Sequence, residues 1–224
     1  KLPSVFSSAT LSTNGDFGYI AGSLGIKEHL SFTVESPFNY KEHMKVVIPK
    51  TKDKITTVLE VLKKTDGRAL FLFNNEDELE TFRHLTATRK ELQSYKFLFE
   101  GDQELSSIVH TFQNQEKTSL CAIHLWEGLD VPGPSLSSVV IWSLPFPPND
   151  PVFNGKRKNA HDPYNEVDLP YMLLRLKQGI GRLIRTSSDE GIVAIVDEGI
   201  RDNKELYEKV LLQLPEDVHV FNSF

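Results

Sequence analysis

Apolar positions recur along this chain in two rhythms. Short, almost wholly apolar runs alternate with stretches in which apolar residues return every three or four positions. The first rhythm belongs to strands buried on both faces, the second to helices that bury one side. The runs predict strands at residues 4–8, 32–35, 44–48, 68–73, 95–99, 119–123, 138–143, 191–196 and 218–221. Helices are expected at residues 15–24, 53–64, 103–112, 169–184 and 203–212. Between 53 and 64, Ile55, Val58, Leu59 and Leu62 share one side, and Gly67 follows as a stop signal. Gly25 ends the first helix in the same way. Asn75, with Glu78 three residues on, reads as a capping box opening one more helix. Strand and helix alternate so regularly that the fold class is α/β, with a mostly parallel sheet covered on both faces.

Two irregular stretches interrupt the pattern. Residues 124–135 are rich in Gly and Pro, and residues 145–170 read as one long proline-punctuated loop. Both follow expected strands. Ligands of open α/β sheets bind beyond the carboxyl ends of strands, so the chemistry is expected where these two stretches meet.

Composition removes several classes. Of 224 residues, 39% are hydrophobic and 14 are Phe, which excludes a disordered chain. The single cysteine, Cys121, excludes a disulfide scaffold and fits a small buried strand residue. No run approaches the ~18 apolar residues of a membrane span. The first residues carry neither an initiator Met nor a signal-peptide pattern, and read as part of a longer polypeptide.

The formal net charge of −6 is unevenly spread. Residues 186–224 hold nine acidic and three basic side chains, whereas residues 151–185 hold seven basic and three acidic. A local basic surface is what binds phosphates even on an acidic protein. Lys156, Arg157 and Lys158 are its densest part, either as a solvated loop or as a phosphate contact.

The sharpest chemistry lies in Gln178-Gly179-Ile180-Gly181-Arg182-Leu183-Ile184-Arg185. On a continuous helix Gln178, Arg182 and Arg185 project from one face, and Met172, Leu173, Leu176, Ile180 and Leu183 from the other. Each helical glycine costs roughly 1 kcal/mol relative to Ala, so a close neighbour is expected there. Guanidinium forks suit phosphate oxygens. Two surface arginines on an amphipathic helix is the plainer alternative.

This run resembles motif VI of superfamily 2 helicases, in the Gln-x-x-Gly-Arg-x-x-Arg form of the DinG/XPD family. Other stretches agree in order. Ser8-Ala9-Thr10-Leu11 resembles motif III, residues 68–75 the motif IV strand, and Trp126-Glu127-Gly128-Leu129-Asp130-Val131-Pro132-Gly133 motif V. Leu144-Pro145-Phe146-Pro147 and Leu169-Pro170 also fit, and bacterial DinG-type helicases are the nearest group.

The resemblance implies a RecA-like three-layer fold, of the P-loop NTPase type, serving as the second helicase domain. Residues 1–14 would close the first helicase domain and linker, and residues 15–224 would form the second domain. Arg182 and Arg185 would meet the γ-phosphate of ATP, one as arginine finger, with Gln178 helping to position it. Gly128, Asp130 and Glu127 would approach the nucleotide. Trp126 and Glu127 would couple that loop to DNA, and Trp126 reads equally well as a core aromatic. Asn74 and Asn75 could bond a DNA phosphate or cap a helix. Lys156, Arg157 and Lys158 would wall a single-stranded DNA groove. Ser8 and Thr10 would link the two helicase domains.

What is absent matters as much. The chain has no Gly-x-x-x-x-Gly-Lys-Ser/Thr; Gly22-Ser23-Leu24-Gly25-Ile26-Lys27 has the wrong spacing. Asp77-Glu78-Leu79-Glu80 reads as the acidic first turn of a helix rather than a Walker B box. The Mg²⁺ ligands, and any iron–sulfur cluster, are therefore expected in the first helicase domain. Cys121 alone holds no cluster, and the histidines have no metal-site spacing. The expected partners are that N-terminal helicase domain and single-stranded or forked DNA, without a membrane. The expected setting is the bacterial cytoplasm, at the nucleoid when on DNA. The function implied is the C-terminal half of an ATP-dependent DNA helicase, inactive as this piece alone, moving 5′ to 3′ in repair or replication. An exonuclease–helicase fusion and a non-catalytic binding module are the alternatives.

Overall fold

The computed structural model describes residues 4–8, 10–12, 15–51, 53–127, 136–184 and 186–224. Its elements run α1 (Gly18–Ser23), α2 (Tyr40–His43), β1 (Met44–Val47), α3 (Lys54–Lys64), β2 (Ala69–Leu72), α4 (Glu76–Thr88), β3 (Lys96–Phe99) and α5 (Leu105–Asn114). There follow β4 (Thr118–Ala122), β5 (Ser138–Ile141), α6 (Pro151–Lys158), a π-helical turn (Tyr164–Asp168), α7 (Leu169–Ile180), β6 (Gly191–Ile195), α8 (Gly199–Asp202), α9 (Lys204–Leu211) and β7 (His219–Phe221).

The strands form one seven-stranded sheet in the order β3-β4-β2-β5-β6-β1-β7, and every pairing is parallel. Successive strand residues feed opposite cores, as the two-residue period requires. Leu70 and Leu72 enter the core under α5, α7 and α9, with Ile108, Met172, Leu176 and Val210. Ala69, Phe71 and Phe73 enter the core under α3 and α4, with Val58, Leu62, Leu79 and Phe82. The α/β, RecA-like three-layer expectation therefore holds.

Helix starts follow the expected chemistry. Asp53 caps α3 by accepting from the Ile55 N–H at 3.0 Å. Asn75 caps α4 by accepting from the Glu78 N–H at 3.0 Å. The reciprocal bond of the capping box is shifted by one residue: Glu78 Oε2 accepts from the Asn74 N–H at 3.1 Å. Gly67, at φ +73, turns the chain from α3 into β2 beside the Tyr95 ring.

Four expectations are corrected. Residues 4–8 and 32–35 are not strands, because no neighbouring strand pairs with them among the described residues. Residues 145–170 are not one loop. Pro151 occupies the first turn of α6, where its missing N–H costs nothing, and Asp150 caps that turn by accepting from the Phe153 N–H at 2.8 Å. Lys156, Arg157 and Lys158 are thus the last turn of a helix, where cations oppose the helix dipole. Finally, the helix expected to reach residue 184 stops at Ile180. The Arg182 and Leu183 N–H groups bond three residues back, to the Gly179 and Ile180 carbonyls. Arg182 therefore lies past the helix end and does not continue the Gln178 face.

Candidate functional site

The loop after β4 organises the site. Its first peptide is clamped from both sides. Glu100 Oε2 accepts from the Ile123 N–H at 2.6 Å and the His124 N–H at 3.0 Å. Arg175 Nη2 donates to the Ile123 carbonyl at 3.1 Å. Glu100 Oε1 also faces His124 Nδ1 at 3.2 Å.

Past the clamp, Trp126 turns inward. It is 1% exposed, and its indole N–H donates to the Phe73 carbonyl at 3.1 Å. Gly179 makes room for the ring: a Cβ there would sit 2.8 Å from Trp126 Cε3 and 3.1 Å from Leu72 Cδ1. The close neighbour that the glycine implied is an indole. The Arg175 guanidinium lies 5.5 Å from the same ring. Arg182 Nε donates to the Trp126 carbonyl at 3.0 Å, so the arginine that follows α7 is held to the loop.

Outside the ring a cleft of about 460 Å³ opens, framed by Thr10, Glu127, Tyr171, Arg175 and Gln178. Gln178 Nε2 reaches Thr10 Oγ1 at 3.4 Å and Glu127 Oε2 at 3.5 Å. Both contacts are at the long limit of hydrogen bonding, which leaves the amide readily redirected to a ligand. Ser8 Oγ stands 3.4 Å from Thr10 Oγ1. Tyr171 OH accepts from Arg175 Nη1 at 2.6 Å. Burial, with Tyr171 and Asp168 nearby, pushes the Tyr19 hydroxyl above its ordinary range. Amide, hydroxyl and guanidinium donors with one carboxylate make the cleft suited to an oxyanion.

The remaining sequence-derived residues are spread more widely. Gln178, Glu127, Thr10 and Ser8 converge, and Arg182 is joined to them through the Trp126 main chain. Trp126 is a core residue, and its buried ring offers no face to DNA. Asn75 is a helix cap. The Asn74 N–H belongs to a second polar cluster beyond β2 and β5, in which Ser143 Oγ donates to Glu78 Oε2 at 2.6 Å. Lys54 joins that edge, donating to the Trp142 carbonyl at 3.0 Å, and burial lowers its pKa below the ordinary lysine value. Lys156 and Lys158 are exposed on α6. Arg157 instead pairs with Asp168 at 2.8 Å and donates to the carbonyls of Pro147 and Pro148, which makes it a brace. Gly128, Asp130, Arg185 and Ala9 lie outside the described residues.

Three site residues escaped the sequence reading: Glu100, Tyr171 and Arg175. Tyr171, Arg175 and Gln178 stand at i, i+4 and i+7. The polar stripe expected to continue into Arg182 and Arg185 runs backward along α7 instead. Cys121 is fully buried in β4, and burial pushes its thiol well above the ordinary value.

A parallel sheet covered on both faces, with a polar cleft between the β4 loop and the end of α7, defines a RecA-like domain of the helicase type. The description "Helicase C-terminal domain" matches residues 58–217. The chain belongs to that family, as a C-terminal helicase domain of the DinG type. It is 49% identical to the probable ATP-dependent helicase YpvA of Bacillus subtilis, over 98% of this chain and 35% of that protein. It is 32% identical to the 3′-5′ exonuclease DinG of the same organism, over 88% of this chain and 24% of that protein. The chain thus spans about a third or less of these relatives. A solved XPD helicase shares the fold at TM-score 0.57 and 15% identity, over 80% of this chain and 35% of that one. Among the described residues no helix is long and apolar enough to cross a membrane.

Proposed function

We propose that this chain is the C-terminal half of the motor of an ATP-dependent DNA helicase. The observation that carries the reading is the convergence of three separate stretches on one cleft. Thr10, Glu127 and Gln178 are far apart in sequence and meet there. They come from the stretches that resemble motifs III, V and VI.

In this reading ATP binds between this domain and a preceding nucleotide-binding domain of the same polypeptide. The donor set of the cleft fits the phosphate tail. Gln178 orients the γ-phosphate, and Arg182 and Arg185 neutralise charge as it transfers, one of them as the arginine finger. Such a finger is worth roughly 10³–10⁵ in rate in other phosphoryl-transfer systems. Glu127, Gly128 and Asp130 approach the nucleotide from the β4 loop. Mg²⁺ would bridge the phosphates, held by the preceding domain; among the described residues here, no cluster of His, Cys, Asp or Glu offers to bind it.

The buried Trp126 transmits nucleotide state, because it joins the β4 loop to α7 through Gly179 and to Arg182 through its carbonyl. Ser8 and Thr10 join the two domains. Asn74, Asn75, Lys156 and Lys158 line the single-stranded DNA path, which Arg157 shapes from beneath. Movement runs 5′ to 3′, in repair or replication, in the cytoplasm.

The test compares the 224-residue chain with the native polypeptide. DNA-stimulated ATP hydrolysis is expected from the polypeptide and none from the chain. Hydrolysis by the purified chain would sink the half-site idea. A second reading, an exonuclease carrying an auxiliary helicase half, is favoured by the relative named as a 3′-5′ exonuclease. Metal-dependent degradation of a 3′ end by the native polypeptide would select it.

A further inference from the structure

Between α1 and α2 the chain carries a strand pattern without a strand. Leu30, Phe32 and Val34 alternate with Ser31, Thr33 and Glu35. Apolar residues at every second position, one of them aromatic and one β-branched, are the pattern of a half-buried strand. Yet Leu30 is 102%, Phe32 85% and Val34 79% exposed. Among the described residues, residues 27–35 make no hydrogen bond and no ion pair. Gly25, at φ +66, bounds the segment on one side and Pro37 on the other.

A run of free backbone donors and acceptors with apolar side chains on one side is a template for strand addition. Three observations say what it pairs with. The segment lies between α1 and α2 and adds no strand to the seven-stranded sheet of this domain. The stretch just before it supplies Thr10 and Ile20 to the cleft, so the chain passes the proposed nucleotide site shortly before the segment begins. The relative YpvA has 65% of its length outside the match, which is ample for a second sheet.

We propose that residues 30–34 form a β-strand added to an open sheet edge of the companion nucleotide-binding domain in the same polypeptide. The proposal rests on the two-domain motor reading above. The strand then ties the companion domain to this one, and Leu30, Phe32 and Val34 fill that domain's surface. Leu30 to Val34 spans about 13 Å at strand rise, enough for a three-side-chain ladder on one face.

Amide hydrogen exchange on the native polypeptide and on the 224-residue chain tests this directly. Exchange at residues 30–34 is expected to slow at least about a hundredfold in the polypeptide relative to the chain. Phe32→Asp in the polypeptide is expected to restore fast exchange and to admit protease cutting between Gly25 and Pro37; Phe32→Leu is expected to keep the protection. Three results overturn the proposal: fast exchange in the native polypeptide, protection already complete in the monomeric chain, or protection that appears only with the mass of a dimer. ATP hydrolysis by the same native sample is read in parallel. Turnover with unprotected residues 30–34 removes the strand and leaves the motor. Protection without turnover keeps the strand and removes the motor.

Discussion

Gly179→Ala is the substitution that best separates packing from helix propensity. Propensity alone makes Ala better than Gly in a helix by about 1 kcal/mol. The new methyl at residue 179, however, would lie 2.8 Å from Trp126 Cε3 and 3.0 Å from Cζ3. Forcing a methyl into a filled core costs about 1–3 kcal/mol. Gly155, inside α6, is the control, because a Cβ there meets nothing within 4 Å. Gly155→Ala is expected to stabilise by about 1 kcal/mol. The propensity terms cancel between the two variants, so Gly179→Ala should be the less stable by about 1–3 kcal/mol. For a chain of this length that is about 2–4 °C in Tm for each kcal/mol. Thermal unfolding of the three proteins gives the comparison, and tryptophan fluorescence, from only two indoles, reports the moved ring. The displaced ring should also carry the Trp126 carbonyl away from Arg182. If both glycine variants were stabilised alike, the indole would not be pressed against α7, and the proposed route from the β4 loop to Arg182 would fail.

Further outcomes follow from single contacts. Asp53→Ala should cost about 1 kcal/mol at pH 7 through the lost cap. The Thr56 hydroxyl and the Ile55 amide hold the Asp53 carboxyl below its ordinary value. Its stabilisation is therefore present above about pH 4 and fades as pH falls through the folded value, so urea midpoints of parent and variant should converge in acid. Arg157→Ala should destabilise by about 1–3 kcal/mol through its Asp168 pair, whereas Lys158→Ala should stay within about 0.5 kcal/mol; equal losses would refute the brace. Replacing Lys156 and Lys158 by Ala in the native polypeptide should flatten the salt dependence of DNA affinity by about 0.7 per lost phosphate contact, and an unchanged slope would return them to solvent. Glu100→Gln should quicken exchange of the Ile123 and His124 amides at least about tenfold; unaltered exchange would mean that Arg175 alone holds the loop.

The parts of the fold legible in the sequence were those with local causes. Strands buried on both faces wrote themselves as apolar runs, and Asn75 announced the helix it caps. Pro151 misled because one residue type marks both loops and first helical turns, and only the Asp150 cap decides between them. Gly181 misled in the opposite sense, since a glycine after a periodic run can sit inside a helix or end it. Of the site, Gln178, Glu127 and Thr10 were legible from their motifs. Burial of Trp126 was not, because it depends on Gly179 and Phe73 arriving from distant elements. Arg175 and Tyr171 were legible in principle, at helical spacing before Gln178. Glu100 was not, since nothing local links an acidic residue after β3 to a peptide after β4.

The central claim is that the run from Gln178 to Arg185 completes an ATP site whose other half lies in a companion domain. The most direct measurement is nucleotide affinity and single-stranded-DNA-stimulated ATP turnover on one preparation each of the native polypeptide and its Arg185→Ala variant. Affinity is expected to survive while turnover falls on the order of a thousandfold or more, since a finger acts on the transition state rather than on ground-state binding. Turnover above about a tenth of the parent value, or a loss explained wholly by weaker binding, would contradict it.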